Sequence, residues 1–442
     1  MILGKTKSLC PECLATIEAD IVSEMDCVYL KKSCFHHGPF STVIWRDSAD
    51  SYSSWGKNSQ AGGRPENVLT EVAKGCPHDC GPCTSHTEGV CLALVEVTAQ
   101  CNLQCPVCFA RSGESGGEPD MTTIRRRLET ILRVSGPAPV QLSGGEPTTR
   151  DDLPEIVAMG RELGFDMIQI NTNGLRLAKD IGYLELLRSS GAKVLYLQFD
   201  GLTDDVYKVV RGTLLMDVKT KVLENCSKVG MAVVLVPTVI PGVNDSQIGG
   251  IVRFAKEWMP VVRGVHFQPI SYFGRYPTSP DDTNRITIPE ITAAMERQTD
   301  GEIRQTDFKP RISKDGHCAF SGFFLLNDNG SLTSGLRTAA KINPLKPAPA
   351  VRNFLGKHWS PVSDSCSCQG CSCTGPEVLP DDIFDWVNTR SLTISGMPFQ
   401  DVWNIDLQRL SGCCIYVATE ERLVPFCAYY LTSRSGASLY RQ

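Results

Sequence analysis

No apolar run in the 442 residues approaches the roughly 18 that a membrane-spanning helix needs, and nothing ahead of Cys10 reads as a secretory leader. Positive charge is sparse too. The formal net charge is -5, and the longest basic tract is Arg125-Arg126-Arg127, which falls in a predicted helix and reads as a solvated face. A nucleic acid would find no electrostatic footprint on such a chain. The expected setting is cytoplasmic and reducing, where thiols bind metals in preference to pairing. Peripheral contact with a membrane stays open.

Cysteine is what the chain has in excess. Its 20 thiols are bunched at 10 to 34, 76 to 108, 366 to 373 and 413 to 427, with Cys318 between, while Cys226 stands apart as an expected packing residue. A length of 442 residues and a hydrophobic fraction of 42% allow one large domain with smaller appendages.

Cys101, Cys105 and Cys108 follow a short apolar strand, Ala93 to Val97, in the spacing C-x3-C-x2-C. Three thiols so placed can bind three irons of a four-iron cluster and leave the fourth iron open for chemistry. Three ligands of a zinc site, or buried free thiols, is the alternative. Upstream, Cys76, Cys80, Cys83 and Cys91 lie among Gly and Pro residues that prevent regular structure. Four thiols would complete an auxiliary cluster, for electron relay or support, or else a four-thiolate zinc site.

Residues 1–46 read as a rubredoxin-like or zinc-ribbon-like module. Cys10-x2-Cys13 and Cys34-x2-His37 would hold one zinc or iron ion, with Cys27 an alternative fourth ligand. So short a module takes part of its folding energy from the metal. Residues 47–74 read as linker and surface loop, and 47–92 as a linker with the auxiliary-cluster segment.

From 93 to 300 the chain is α/β. Candidate strands at 94–97, 140–143, 167–171, 194–199, 233–239 and 265–268 alternate with helical stretches near 122–133, 152–163, 175–189, 217–229 and 246–258. This predicts a parallel sheet, open or curled into a partial barrel, with its site at the carboxyl ends of the strands. The second strand ends Ser143-Gly144-Gly145-Glu146-Pro147. Its glycines would let backbone groups approach a ligand, and Glu146 would accept from a primary ammonium.

C-x3-C-x2-C followed by Gly-Gly-Glu-Pro resembles the radical S-adenosylmethionine (SAM) superfamily over about residues 93–270. The resemblance implies a partial (β/α)6, TIM-like barrel. It makes Cys101, Cys105 and Cys108 ligands of a [4Fe-4S] cluster open to SAM, sets Gly144, Gly145 and Glu146 at the methionine end, and places Phe109 by the adenine. It further implies reductive cleavage of SAM to a 5'-deoxyadenosyl radical that abstracts hydrogen from a substrate carbon, with electrons from a donor such as a ferredoxin or flavodoxin.

Other strand ends offer Asn171, Asn173 and Gln198 for ribose hydroxyls, Asp200 for ribose or a substrate proton relay, and Gln268 for the pocket. His266 reads as strand packing. Cys34-x2-His37-Gly38, the Cys76–Cys83 segment, Phe399-Gln-Asp401 and Pro425-Phe426-Cys427-Ala428-Tyr429 resemble a subgroup containing archaeal tetraether lipid synthase and 7,8-dihydro-6-hydroxymethylpterin methylating enzymes. This implies one or two auxiliary clusters and C–C coupling or methylation of a lipid or small molecule. Residues 301–442 form a Cys-rich auxiliary region, where Cys318, Cys413 and Cys427 could join one thiol of the 366–373 group, such as Cys371. Phe323 to Leu326 could line a lipid tunnel or form a buried strand. A non-catalytic zinc or iron thiolate scaffold is the alternative to an enzyme.

Overall fold

The computed structural model describes residues 1–57, 64–65, 67–113, 117–276, 280–310, 315–335 and 389–441. The Pro-rich stretch at Pro344, Pro347 and Pro349 and the thiols Cys366, Cys368, Cys371 and Cys373 lie outside the described residues. No helix among those described is long and apolar enough to cross a membrane.

Four antiparallel strands in sequential order build the N-terminal ribbon: β1 (Ile2–Leu9), β2 (Thr16–Glu24), β3 (Cys27–Cys34) and β4 (Gly38–Trp45). The stretch expected to be loop begins instead with helix α1 (Ala49–Lys57), which buries none of its residues fully. It is held through aromatic rings: Tyr52 stacks on His317 at 4.0 Å, and Trp55 Nε1 donates to Gly316 O at 2.9 Å.

The core is a run of parallel strands: β5 (Leu92–Thr98), β6 (Val140–Gly144), β7 (Ile168–Thr172), β8 (Val194–Gln198), β9 (Ala232–Val236), a two-residue β10 (Thr238–Val239) and β11 (Val262–Pro269). All six long strands match the sequence expectation. They are covered on both faces, so their apolar runs are nearly continuous instead of alternating. Helices α2 (Met121–Ser135), α3 (Leu153–Glu162), α4 (Leu175–Lys179), α5 (Ile181–Ser189), α6 (Asp204–Arg211), α7 (Met216–Val229) and α8 (Ile248–Glu257) make the crossovers, and α9 (Ile288–Gln298) follows. Helix α2 shows why they form. Asp120 caps it by accepting from Thr123 N, Ile124, Leu128 and Ile131 make the buried stripe, and Gly136 ends it at φ +64°.

Both edges of this sheet are finished by later parts of the chain. After β12 (Lys309–Pro310), β13 (Phe320–Leu326) and β14 (Leu332–Ser334), strand β15 (Ser391–Gly396) pairs parallel to β11 and antiparallel to β13. At the other edge β16 (Ile415–Ala418) pairs parallel to β5 and carries β17 (Leu423–Pro425) antiparallel. The Phe323–Leu326 run is thus strand.

The ribbon docks on this body through Leu9, Leu14, Val28 and Trp45, which share its buried clusters, and through polar contacts. Thr6 Oγ1 donates to Asp406 Oδ1 (2.6 Å), and the buried Lys32 Nζ donates to Val402 O (2.8 Å).

Candidate active site and metal centres

Cys101, Cys105 and Cys108 sit on the loop leaving β5, at the carboxyl end of the sheet, and line a cavity of about 850 Å³. The loop is clasped from outside. Cys108 exchanges backbone hydrogen bonds with Arg275 (2.9 and 3.0 Å), and Arg275 Nε donates to Cys105 O at 2.8 Å. Burial pushes the Cys101 thiol up to about 11 and raises Cys105, against the pull of the nearby Arg211 guanidinium. Bound metal charge is what turns such thiols into thiolates.

The paired glycines have a more local cause than ligand access. A Cβ on Gly144 would stand 2.1 Å from Thr98 O, and one on Gly145 only 1.9 Å from Gln100 O. Gly145 N and Glu146 N donate to those same carbonyls at 2.8 Å, so the glycines let the end of β6 seat against the thiol loop. Glu146 is 2% exposed and already well occupied. Its Oε1 accepts from Thr148 N, Thr148 Oγ1 and Thr172 Oγ1, and its Oε2 from Asn173 N at 2.6 Å. Burial nonetheless raises its carboxyl above the usual range. Glu146 therefore braces two loops, and Oε2 has one lone pair left for an ammonium.

Asp200, expected in a relay or on ribose, corrects differently. It is fully buried, its oxygens accept from Arg211 Nε (2.7 Å) and Nη2 (2.8 Å), and Oδ1 also takes Thr238 N. Asp200 itself does not line the cavity. Arg211, which the sequence reading missed, is the member that lines the cavity, and it donates to Val107 O within the thiol loop. Gln198, with its carboxamide oxygen turned to Arg211 Nε at 2.9 Å, lines the same wall.

Asn171 donates to Ser143 Oγ at 3.0 Å while its Oδ1, buried, has no partner. Asn173 ties Asn102 of the thiol loop to the start of α4. Phe109 lies edge-on to Tyr430 at 4.9 Å, with Phe426 at 5.7 Å. Gln268 lines the cavity, and so does His266, bonded through Nδ1 to Ser395 Oγ (2.9 Å). His266 is packed, its ring 5.8 Å from that of Tyr196, and it also faces the cavity because residues two apart on a strand share a side. By that same period Phe323 and Leu325 reach the cavity while Phe324 packs into the core.

In the ribbon, Cys10, Cys13, Cys34 and His37 bring all their ligand atoms within 4.8 Å of one another, the one set of three or more to do so among the described residues. His37 Nδ1 is 3.5 Å from Cys10 Sγ and 3.4 Å from Cys34 Sγ. Tetrahedral bonds to zinc imply about 3.6 Å. The His37 contact also lowers the Cys34 thiol to about 6. Cys27 begins β3 and Cys34 ends it, about 23 Å apart along an extended strand, so Cys27 is no alternative ligand. By the same measure, neither Cys76, Cys80 and Cys83 nor Cys101, Cys105 and Cys108 is drawn tight enough for a single ion.

Cys91, expected as the fourth thiol of the upstream set, is bonded to Cys414 across 323 residues. The pairing of β5 with β16 brings them together, Cys91 N donating to Cys414 O at 2.7 Å. Cys318, Cys413, Cys414 and Cys427 line a second cavity of about 40 Å³. Cys371, the fourth thiol considered for this set, lies outside the described residues.

Residues 95–255 match the model of the radical SAM superfamily, and residues 2–46 match the HMPTM N-terminal zinc ribbon domain. A 7,8-dihydro-6-hydroxymethylpterin dimethyltransferase of Methanocaldococcus jannaschii is 38% identical, over 96% of this chain and 93% of its own length. A probable GTP 3',8-cyclase of Pyrococcus abyssi is 33% identical over 36% of this chain and 51% of its own. Among solved structures, Streptococcus suis SuiB bound to precursor peptide SuiA overlaps 49% of this chain and 46% of that one, with a TM-score of 0.40 and 18% identity.

Proposed function

This chain belongs to the radical SAM enzymes, in the family of the M. jannaschii dimethyltransferase, and from that premise we propose that it methylates a carbon of a compact reduced heterocycle of the dihydropterin kind. The observation that carries the reading is the seating of the Gly144-Gly145-Glu146 turn against the three-thiol loop over one cavity of about 850 Å³. That volume lies within the range of small-molecule sites. With a [4Fe-4S] cluster on Cys101, Cys105 and Cys108 and SAM at its open iron, reductive cleavage of the sulfonium supplies a 5'-deoxyadenosyl radical for hydrogen abstraction from a C–H bond.

The chain's own residues do the positioning. Arg211, fixed by Asp200, presents a buried guanidinium at the cavity wall beside Cys105, suited to a carboxylate. Glu146 Oε2 and the backbone at Gly144 and Gly145 suit the amino group. The unpaired Asn171 Oδ1 suits a hydroxyl or ring N–H. Leu92, Leu94, Val236, Ile270, Phe320 and Met397 make most of the remaining wall apolar and keep water from a radical. The same apolar wall supports a second reading, a lipid with its reacting carbon at the same place.

Cys76, Cys80 and Cys83 belong, in this reading, to an auxiliary iron–sulfur cluster, and the ribbon set to zinc. The electron donor is a ferredoxin or flavodoxin of the cytoplasm. Reductive cleavage leaves the SAM methyl group on methionine, so the transferred methyl comes from a second SAM molecule or another one-carbon donor. The test is anaerobic turnover of the iron-loaded protein with excess SAM and dithionite, with and without a dihydropterin. Release of 5'-deoxyadenosine that rises with the pterin, alongside a methylated pterin, supports the reading. Release that rises instead with an alkyl-chain lipid replaces it with the second.

A further inference from the structure

The cavity lined by Cys318, Cys413, Cys414 and Cys427 adjoins the large one, sharing Ala319, Met397, Phe399, Ile415 and Phe426 as a common wall. Two of its thiols are met by donors, while Cys413 Sγ donates to Ile415 O at 3.2 Å. The half-buried Arg409 gives Nε to Cys318 Sγ at 3.0 Å and Nη2 to His317 O at 2.8 Å, and Gln400 N donates to Cys427 Sγ at 3.3 Å. N–H groups and a guanidinium aimed at sulfur suit thiolates holding an anionic cluster. Cys318, Cys413 and Cys427 do not close to within 4.8 Å as the ribbon's set does, which suits several irons better than one ion.

One of the four thiols is engaged elsewhere, since Cys414 is bonded to Cys91. That bond lies between two thiol sets. Cys80, Cys91, Cys414 and Cys427 share one buried cluster, and Cys76 and Cys413 pack against it. The set at 76, 80 and 83 is one thiol short of four, and so is the set at 318, 413 and 427. The bond holds one candidate for each. In a reducing compartment a disulfide is not the resting state expected of such a pair.

We infer that the Cys91–Cys414 disulfide and two complete four-thiol iron–sulfur centres are alternative states of the same residues. The inference rests on the reading of Cys76, Cys80 and Cys83 as cluster ligands. Two electrons and two protons from a dithiol reductant break the S–S bond and give two thiols. Cys414 then completes the centre with Cys318, Cys413 and Cys427, and Cys91 completes the one with Cys76, Cys80 and Cys83. Each thiol gives up its proton as it binds iron, and the iron and sulfide come from the loading system. Both auxiliary centres are therefore filled, or lost to oxidation, together.

The test is iron and sulfide per chain, electron paramagnetic resonance of the reduced centres, and mass spectrometry of denatured, alkylated protein. Anaerobically loaded wild type should carry three clusters with Cys91 and Cys414 recovered as free thiols, while air-oxidised apoprotein should yield the 91–414 disulfide. Cys414→Ser and Cys91→Ser should each remove one cluster's iron, sulfide and resonance while leaving the signal of the SAM-binding cluster. Cys371→Ser should remove none. Three clusters with the disulfide intact, or a Cys371→Ser protein that loses the cluster Cys414→Ser retains, overturns the inference alone. Wild type carrying a single cluster overturns the auxiliary reading on which it rests.

Discussion

Two loops of this chain carry thiols in the same C-x3-C-x2-C spacing, Cys76-Cys80-Cys83 and Cys101-Cys105-Cys108, and they meet different surroundings. The downstream loop leaves a core strand and faces a large cavity, with Glu146, Asp200, Arg211 and Lys219 buried around it. The upstream loop lines no part of that cavity. Its scaffold is backbone and tail: Asp79 Oδ2 accepts from the N–H groups of Ala73, Lys74 and Gly75, and the Tyr440 hydroxyl accepts from Cys80 N at 3.1 Å and donates to Pro77 O at 2.6 Å. Spacing of thiols thus sets how a loop can wrap iron. Whether a corner of the iron is left for chemistry depends on what the loop is laid against.

The contrast breaks most decisively at the thiols themselves. Cys105→Ala should reduce 5'-deoxyadenosine release to background, whereas Cys80→Ala should retain SAM cleavage and lose methylated product. Equal loss in both, with the SAM-binding cluster intact by spectroscopy, would make the two loops one functional unit.

The buried charges come next. Arg211→Ala leaves Asp200 unpaired in the interior and should cost about 3–5 kcal/mol in urea unfolding. Removing the half-buried His78 of the upstream loop should change stability by under about 0.5 kcal/mol.

A third pair of variants compares glycines. Gly145→Ala drives a Cβ into Gln100 O and should cost about 1–3 kcal/mol and weaken SAM binding, measured by equilibrium dialysis. Gly75→Ala meets open space at φ +81° and should cost about 1–2 kcal/mol with SAM binding unchanged.

The smallest effect is a pH slope. Burial lowers the fully buried Lys219, whose Nζ donates to Asn173 O at 2.6 Å, to about 7. The unfolded chain keeps that proton up to about pH 10.4, so between these values it binds more protons and stability rises with pH. That contribution is complete above the unfolded value and is lost as pH falls toward 7. The slope is at most about 1.4 kcal/mol per pH unit. Lys219→Met should flatten it in unfolding titrations from pH 7 to 9, and an unchanged slope would reassign the burial.

The six core strands were legible because each is a β-branched or apolar run, four of them ended at once by Gly, Asn or Pro. Helix α1 was not, because Ala49–Lys57 is serine-rich, has no buried stripe and borrows its anchorage from His317 and Gly316. Helix α6 was missed for its eight-residue length, and Arg211 went with it. Asp200 looked like a site residue because the sequence shows a carboxylate at a strand end, not the guanidinium that encloses it. The outer partners of β11 and β5, and the partner of Cys91, lie more than 120 residues away, and no local pattern encodes which distant run will arrive.

That last dependence bears on how the chain is made. Until β15 and β16 emerge from the ribosome, both margins of the newly folded core present unpaired backbone groups, a template for joining another chain. At ordinary synthesis rates the interval from β11 to β16 is on the order of ten seconds. During that time the thiol loops hang from a half-sealed scaffold, so iron delivered early meets sites that the final fifty residues have yet to frame.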